Sequence, residues 1–139
     1  MINTFKEKKY IKILFVDNDV DFLKSAQQCL ELHGNYEITC AFSVAQALEI
    51  VTKKEIDIII SDMNMPITDG IEFLKTLRKN NNNIPFIVFT ATEDKQKPIE
   101  AFSSGANGFI GKTGNPEIIF STLNRCIEKS LQATTTGVV

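Results

Sequence analysis

Residues able to handle phosphate and a metal ion stand at the ends of four apolar runs in this chain. Asp17, Asn18 and Asp19 follow the run 11–16, and Ser61, Asp62, Met63 and Asn64 follow the run 56–60. Thr90 and Ala91 follow the run 85–89, and Gly111 and Lys112 follow the run 108–110. Carboxylates that converge without a His or Cys cluster suit a hard cation, Mg²⁺ first and Mn²⁺ as the alternative. Such an ion could hold a phosphate oxygen beside Asp62 while Lys112 and Thr90 take two others. The ion and the ammonium would then stabilise charge developing on a transferring phosphoryl group. Taken singly, each residue has a plainer reading: Asp17 and Asp19 as helix caps, Asp62 as a loop residue, Lys112 as a solvated cation. Asp17, Asp62, Thr90 and Lys112 together, at the ends of four different strands, are much harder to attribute to capping.

The elements that must position them are legible from periodicity. The runs 11–16, 36–41, 56–60, 85–89 and 108–110 read as strands, short and rich in β-branched residues. Asp19 caps a helix whose apolar positions Phe22, Leu23, Ala26, Cys29 and Leu30 follow the 3.6-residue period, and Gly34 stops it with His33 in its last turn. Ser43 caps a second helix through Ala47, Leu48 and Val51. A third spans about Gly70 to Lys79 and ends at the polar turn Asn80 to Asn83. Pro98 is tolerated only in a first turn, which starts the fourth helix near Lys97, and Gly105 closes it. Pro116 opens a fifth through Ile119, Leu123, Cys126 and Ile127. Five βα units predict an α/β fold: a parallel sheet with helices on both faces and right-handed crossovers. In the common strand order 2-1-3-4-5, strands 1 and 3 are neighbours at the point where the order reverses. Asp17 and Asp62 then face one another beyond the carboxyl ends of the strands. Residues 1–10 read as a Lys-rich, solvated lead-in, 11–130 as the domain, and 131–139 as a flexible tail without periodicity.

Composition sets the outer limits. A chain of 139 residues with a formal net charge of -2 suits one domain, and lacks the Lys and Arg surplus of a broad nucleic-acid face. No signal peptide or membrane span is evident, so a cytoplasmic protein is expected. Cys29, Cys40 and Cys126 are odd in number, widely spaced and set among apolar neighbours, which reads as buried, reduced thiols. His33 lies at the end of a helix, away from the carboxyl ends of the strands, and is expected to meet the helix dipole there.

Several of these segments together resemble the receiver domain of bacterial two-component response regulators. The carriers are Ile-Leu-Phe-Val-Asp17, Ser61-Asp-Met-Asn-Met-Pro66 with Asp69-Gly70, Phe89-Thr-Ala91, and Gly105-Ala-Asn-Gly-Phe-Ile-Gly-Lys112. The resemblance implies a flavodoxin-like (βα)5 fold over about residues 11–130. It implies that Asp62 is the phosphoacceptor, receiving its group from a sensor histidine kinase or a histidine phosphotransfer protein. Thr90 and Lys112 would contact that group, and the Asn64 backbone carbonyl would join Asp17 and Asp62 as a ligand of Mg²⁺. Thr90 and Phe109 match the switch pair of the family, although Phe109 also reads simply as an apolar strand residue. Pro66 and Gly70 match positions that shape the loop. The output surface would be the face made by helix 4, strand 5 and helix 5, engaging a partner protein or a second, phosphorylated copy, with no direct nucleic-acid or membrane contact. Activity would be confined to self-catalysed phosphotransfer and autodephosphorylation, so the domain is not expected to be an enzyme otherwise.

The chain departs from the family pattern in three places. Asn18 stands where a second consecutive acid is usual, so that ligand position is weakened by one formal charge. Thr113 replaces the usual Pro after Lys112, which would leave the lysine less firmly aimed. Pro98 alters the start of helix 4. A phosphorylation-independent pseudo-receiver that binds partners through the same face is the principal alternative. A third reading, a haloacid dehalogenase-like phosphatase, takes Asp17 as nucleophile and Asp19 as general acid. It lacks the later acidic pair that such enzymes need and leaves the segment around Asp62 unexplained.

Overall fold

The computed structural model describes residues 10–137. Ten elements alternate: β1 (Ile11–Val16), α1 (Val20–Glu31), β2 (Tyr36–Ala41), α2 (Val44–Lys53), β3 (Ile58–Ser61), α3 (Gly70–Lys79), β4 (Phe86–Thr90), α4 (Gln96–Ser103), β5 (Gly108–Gly111) and α5 (Pro116–Gly137). The five strands form one parallel sheet in the order β2-β1-β3-β4-β5. Because successive side chains of a strand point to opposite faces, the sheet feeds two cores. Leu14, Val16, Ile59, Phe86 and Val88 pack with Ala47, Leu74 and Ala101 of α2, α3 and α4. Ile13, Phe15, Ile58, Ile60, Ile87 and Phe89 pack with Leu23, Leu30, Leu123 and Ile127 of α1 and α5. On the second face the Tyr36 hydroxyl donates to the Asn124 side-chain oxygen, tying β2 to α5.

Helix starts follow local capping chemistry. The side chains of Asp19, Ser43 and Asp69 accept backbone N–H bonds from Phe22, Gln46 and Glu72, and Glu72 returns a bond to complete a capping box on α3. α4 has no such side-chain cap, and Pro98 stands within its first turn. His33 Nδ1 lies 2.8 Å from the Cys29 carbonyl in the last turn of α1, an oxygen that also accepts the Leu32 N–H at 3.3 Å. All three cysteines are free, but they are half-buried where burial was expected, because each lies at the margin of the α1–α5 core.

Three expectations are corrected. The third strand pairs from Ile58 to Ser61 and not from residue 56, because the register opposite β1 begins at Ile13 and Ile58. Ile56 packs against the α2–α4 core as a loop residue. Strand 4 begins after Pro85, which has no N–H to give, although the Pro85 carbonyl still accepts from Ile59 N at 2.9 Å. The segment expected to be a flexible tail from residue 131 continues α5 as far as Gly137. The Lys-rich lead-in lies outside the described residues up to residue 9, as do Val138 and Val139.

Candidate functional site

Parallel pairing with a crossover on each side of β1 sends the carboxyl ends of β1 and β3 to the same edge, side by side. Asp17 N donates to the Ala41 carbonyl and Asp62 N to the Val16 carbonyl, so both residues continue the ladder one step past their strands. Asp17 is 1% exposed and its Oδ1 accepts the Asp19 N–H at 2.9 Å. Asp62 is also buried, and its Oδ1 accepts the Asn64 N–H at 3.2 Å. The other two carboxylate oxygens share one cation. Lys112 Nζ is 2.6 Å from Asp17 Oδ2 and 3.2 Å from Asp62 Oδ2.

Thr90 is fully buried at the end of β4, and its hydroxyl lies 3.4 Å from the Asn64 side-chain nitrogen. The Lys112 N–H donates to the Thr90 carbonyl at 3.0 Å, which fixes the root of the lysine beside the hydroxyl residue. Asp17, Asp62, Asn64, Thr90 and Lys112 therefore stand at one edge, linked by direct bonds. Asn18 is exposed at the same edge. Phe109 is set apart: it pairs with Val88, is half-buried, and packs against the core that includes Ala101 of α4. Lys112 reaches both carboxylates without a following proline, and no cis peptide occurs among the described residues. Asp19 caps α1, its Oδ1 accepting from Phe22 N at 3.1 Å.

Two contacts go beyond what residue type and spacing show. Lys112 Nζ lies over the Phe22 ring, 4.3 Å from its centroid. Phe22 had read only as an apolar position of α1, and its nearness to the end of β1 was the available signal. Gly70 is the second. A Cβ there would come within 2.2 Å of the Asp62 carbonyl oxygen, so the start of α3 rests directly on the Asp62 backbone.

Two carboxylates facing one ammonium leave one formal negative charge in the pocket. Among the described residues no three His, Cys, Asp or Glu side chains come together. A cation here would have to combine Asp17 and Asp62 with neutral oxygens. That oxygen-only set fits Mg²⁺, which commonly takes one or two carboxylates and fills its remaining positions with water and phosphate.

Fold and pocket define a doubly wound α/β domain with a lysine-bridged acidic centre at its topological switch point. The chain belongs to the response regulator receiver domain family, whose pattern it matches over residues 13–124. It is 33% identical over 101 residues to the transcriptional regulatory protein PrrA of Mycobacterium tuberculosis, covering 73% of this chain and 43% of that protein. The chain thus spans less than half the length of that relative. Among solved structures it resembles the chemotaxis response regulator CheY4 of Vibrio cholerae, with TM-score 0.75 and 32% identity over 85% of this chain and 99% of that one. A receiver domain protein of Clostridium thermocellum superposes with TM-score 0.80 at 27% identity, covering 90% and 97%. The domain is accordingly a receiver of the two-component response regulator type. No helix among the described residues is long and apolar enough to cross a membrane.

Proposed function

We propose that this domain takes a phosphoryl group from a phosphohistidine onto Asp62 and reports it through the face formed by α4, β5 and α5. The observation that carries this reading is Lys112 Nζ bridging Asp17 and Asp62, with the Asp62 side chain still 11% exposed. Lys112 and Asp17 have no need of Asp62 to be paired, whereas a cation already beside Asp62 is placed for phosphoryl oxygens.

An Asp62 carboxylate oxygen attacks phosphorus as the P–N bond breaks, and the bonding pair returns to the imidazole nitrogen. The product is an acyl phosphate and a free histidine. Water later cleaves the acyl phosphate to inorganic phosphate and restores the carboxylate. The Asn64 N–H holds Asp62 Oδ1, which leaves Oδ2 on the lysine side. Lys112 exchanges its Asp62 contact for a phosphoryl oxygen, and the Thr90 hydroxyl, presented from β4, donates to another. Asp17, Asp62, the Asn64 carbonyl and, weakly, the Asn18 amide oxygen would hold Mg²⁺ or Mn²⁺, which supplies positive charge against the phosphoryl oxygens.

The donor is a sensor histidine kinase or a histidine phosphotransfer protein. A protein donor suits the apolar residues exposed on the elements beside this edge: Val20, Ile67 and Ile118, at 49%, 103% and 63%. Output runs through protein contacts in the cytoplasm, including a phosphorylation-dependent homodimer. Asn18 gives the pseudo-receiver alternative its one specific support, because it removes a charge from the metal position.

Incubation with acetyl phosphate and Mg²⁺, followed by trapping and mass-spectrometric mapping, tests the proposal. A label on Asp62 that Asp62→Asn abolishes is the expected result. Label on Asp17, or none under any donor, would sink it.

A further inference from the structure

Two carboxylates account for only one side of Lys112. Its side chain leaves the end of β5 and crosses the ends of β4 and β3 to reach Asp17 beyond β1. The backbone that follows is exposed from Thr113 to Glu117, so the aim of the side chain comes from what Nζ touches. An ammonium carries three N–H donors, and the carboxylates of Asp17 and Asp62 engage two of them. Besides these, Nζ lies over the Phe22 ring, 4.3 Å from its centroid, and 5.9 Å from that of Phe89. Both distances are within about 6 Å, the range in which a ring quadrupole attracts a cation, and the attraction grows as water is excluded. Only 16% of the lysine side chain is exposed.

Phe22 is itself held in place. It is the third residue of α1, and its backbone N–H bonds to the Asp19 cap at 3.1 Å. Its ring packs at 5.8 Å from Phe89 and 6.4 Å from Phe15, and Phe89 packs at 5.9 Å from Phe120. An aromatic floor drawn from α1, β1, β4 and α5 thus lies under a side chain with four rotatable carbons.

We propose that Phe22 is a positioning residue for Lys112, its ring face holding the ammonium at the Asp17–Asp62 pair and fixing where the lysine meets an incoming phosphoryl group. The inference rests on the phosphoacceptor reading for its consequence and on the contact alone for its geometry. A residue that merely fills space at position 22 would be replaced equally well by leucine or tyrosine, and its loss would cost the same whether or not a lysine stood at 112.

The test is a double-mutant cycle, with Phe22→Leu and Phe22→Tyr each made alone and with Lys112→Met. Asp62 labelling from acetyl phosphate with Mg²⁺ is the first readout. Phe22→Leu is expected to slow labelling about fivefold while Phe22→Tyr stays within about twofold of the unmodified chain. In the Lys112→Met background the residual rate should be indifferent to residue 22. Equal losses for leucine and tyrosine, or the same leucine loss in both backgrounds, would overturn the proposal. If the unmodified chain takes no label, the phosphoacceptor reading fails, and urea unfolding of the same chains decides the positioning role separately. A coupling between residues 22 and 112 above about threefold in the unfolding equilibrium, retained with tyrosine and lost with leucine, supports it; a smaller coupling overturns it.

Discussion

Asn18 sets the charge of the pocket. Lys112 neutralises one of the two carboxylates, and an acid at position 18 would add a second uncompensated negative charge at an exposed position open to a cation. Asn18→Asp is therefore expected to tighten Mg²⁺ binding several-fold in a metal titration without altering the fold. Unchanged or weaker affinity would show that the side chain at 18 does not face the ion. The ionic residues were legible because polar groups closing an apolar strand are conspicuous in a sequence. Phe22 was not, because helical periodicity assigns an aromatic residue to the core and cannot say which cation crosses its face. Asn64 was read for its carbonyl, whereas its side-chain amide also lies 3.4 Å from the Thr90 hydroxyl, a pairing between two strands' ends that spacing along the chain does not reveal.

Between residues and the whole stand the elements that carry them, and here local chemistry was the better guide. Caps at Asp19 and Ser43 and the placement of Pro98 followed from residue type, and the strand order is the common one for five βα units. Strand ends did not, because pairing register decides them and an apolar run does not record it. The end of α5 was missed because Ala133, Thr134, Thr135 and Thr136 show no apolar period, yet the helix already under way continues through them to Gly137. The start of α3 bears directly on the site. Gly70 N donates to the Met63 carbonyl at 3.0 Å, and a Cβ on Gly70 would meet the Asp62 carbonyl oxygen at 2.2 Å and Met63 Cα at 3.0 Å. These obstacles are backbone, which cannot swing aside as a flexible side chain would. Gly70→Ala should destabilise the domain by about 1–3 kcal/mol in urea unfolding and slow Asp62 labelling by displacing the loop. Unchanged stability together with unchanged labelling would mean that α3 can shift without moving Asp62.

At the scale of the molecule, the site and the proposed output face sit on adjoining parts of one sheet. Thr90 ends β4, Lys112 follows β5, and Phe109 on β5 packs into the same core as Ala101 of α4. α4 is fastened unequally. Beyond its C-terminal end, the Gly105 carbonyl accepts from Arg78 of α3, Nε at 3.2 Å and Nη2 at 2.8 Å, while its N-terminal end, nearer Thr90, bonds to its own preceding turn, Gln96 N to Asp94 Oδ1 at 2.9 Å and Lys97 N to the Asp94 carbonyl at 3.2 Å. The end left less constrained is thus the one a change at Thr90 would reach first. Ile99 and Phe102 on this helix are 60% and 51% exposed, apolar surface that an isolated domain does not need. Substituting both, Ile99→Asp with Phe102→Glu, removes little packing and should change stability by no more than about 0.5 kcal/mol per site. The same pair should abolish association driven by Mg²⁺ and beryllofluoride, measured by light scattering after gel filtration. The unmodified domain is expected to shift toward a dimer and the substituted one to stay monomeric. Dimerisation that persists in the substituted domain would place self-association on another surface, and leave α4 free for a different protein.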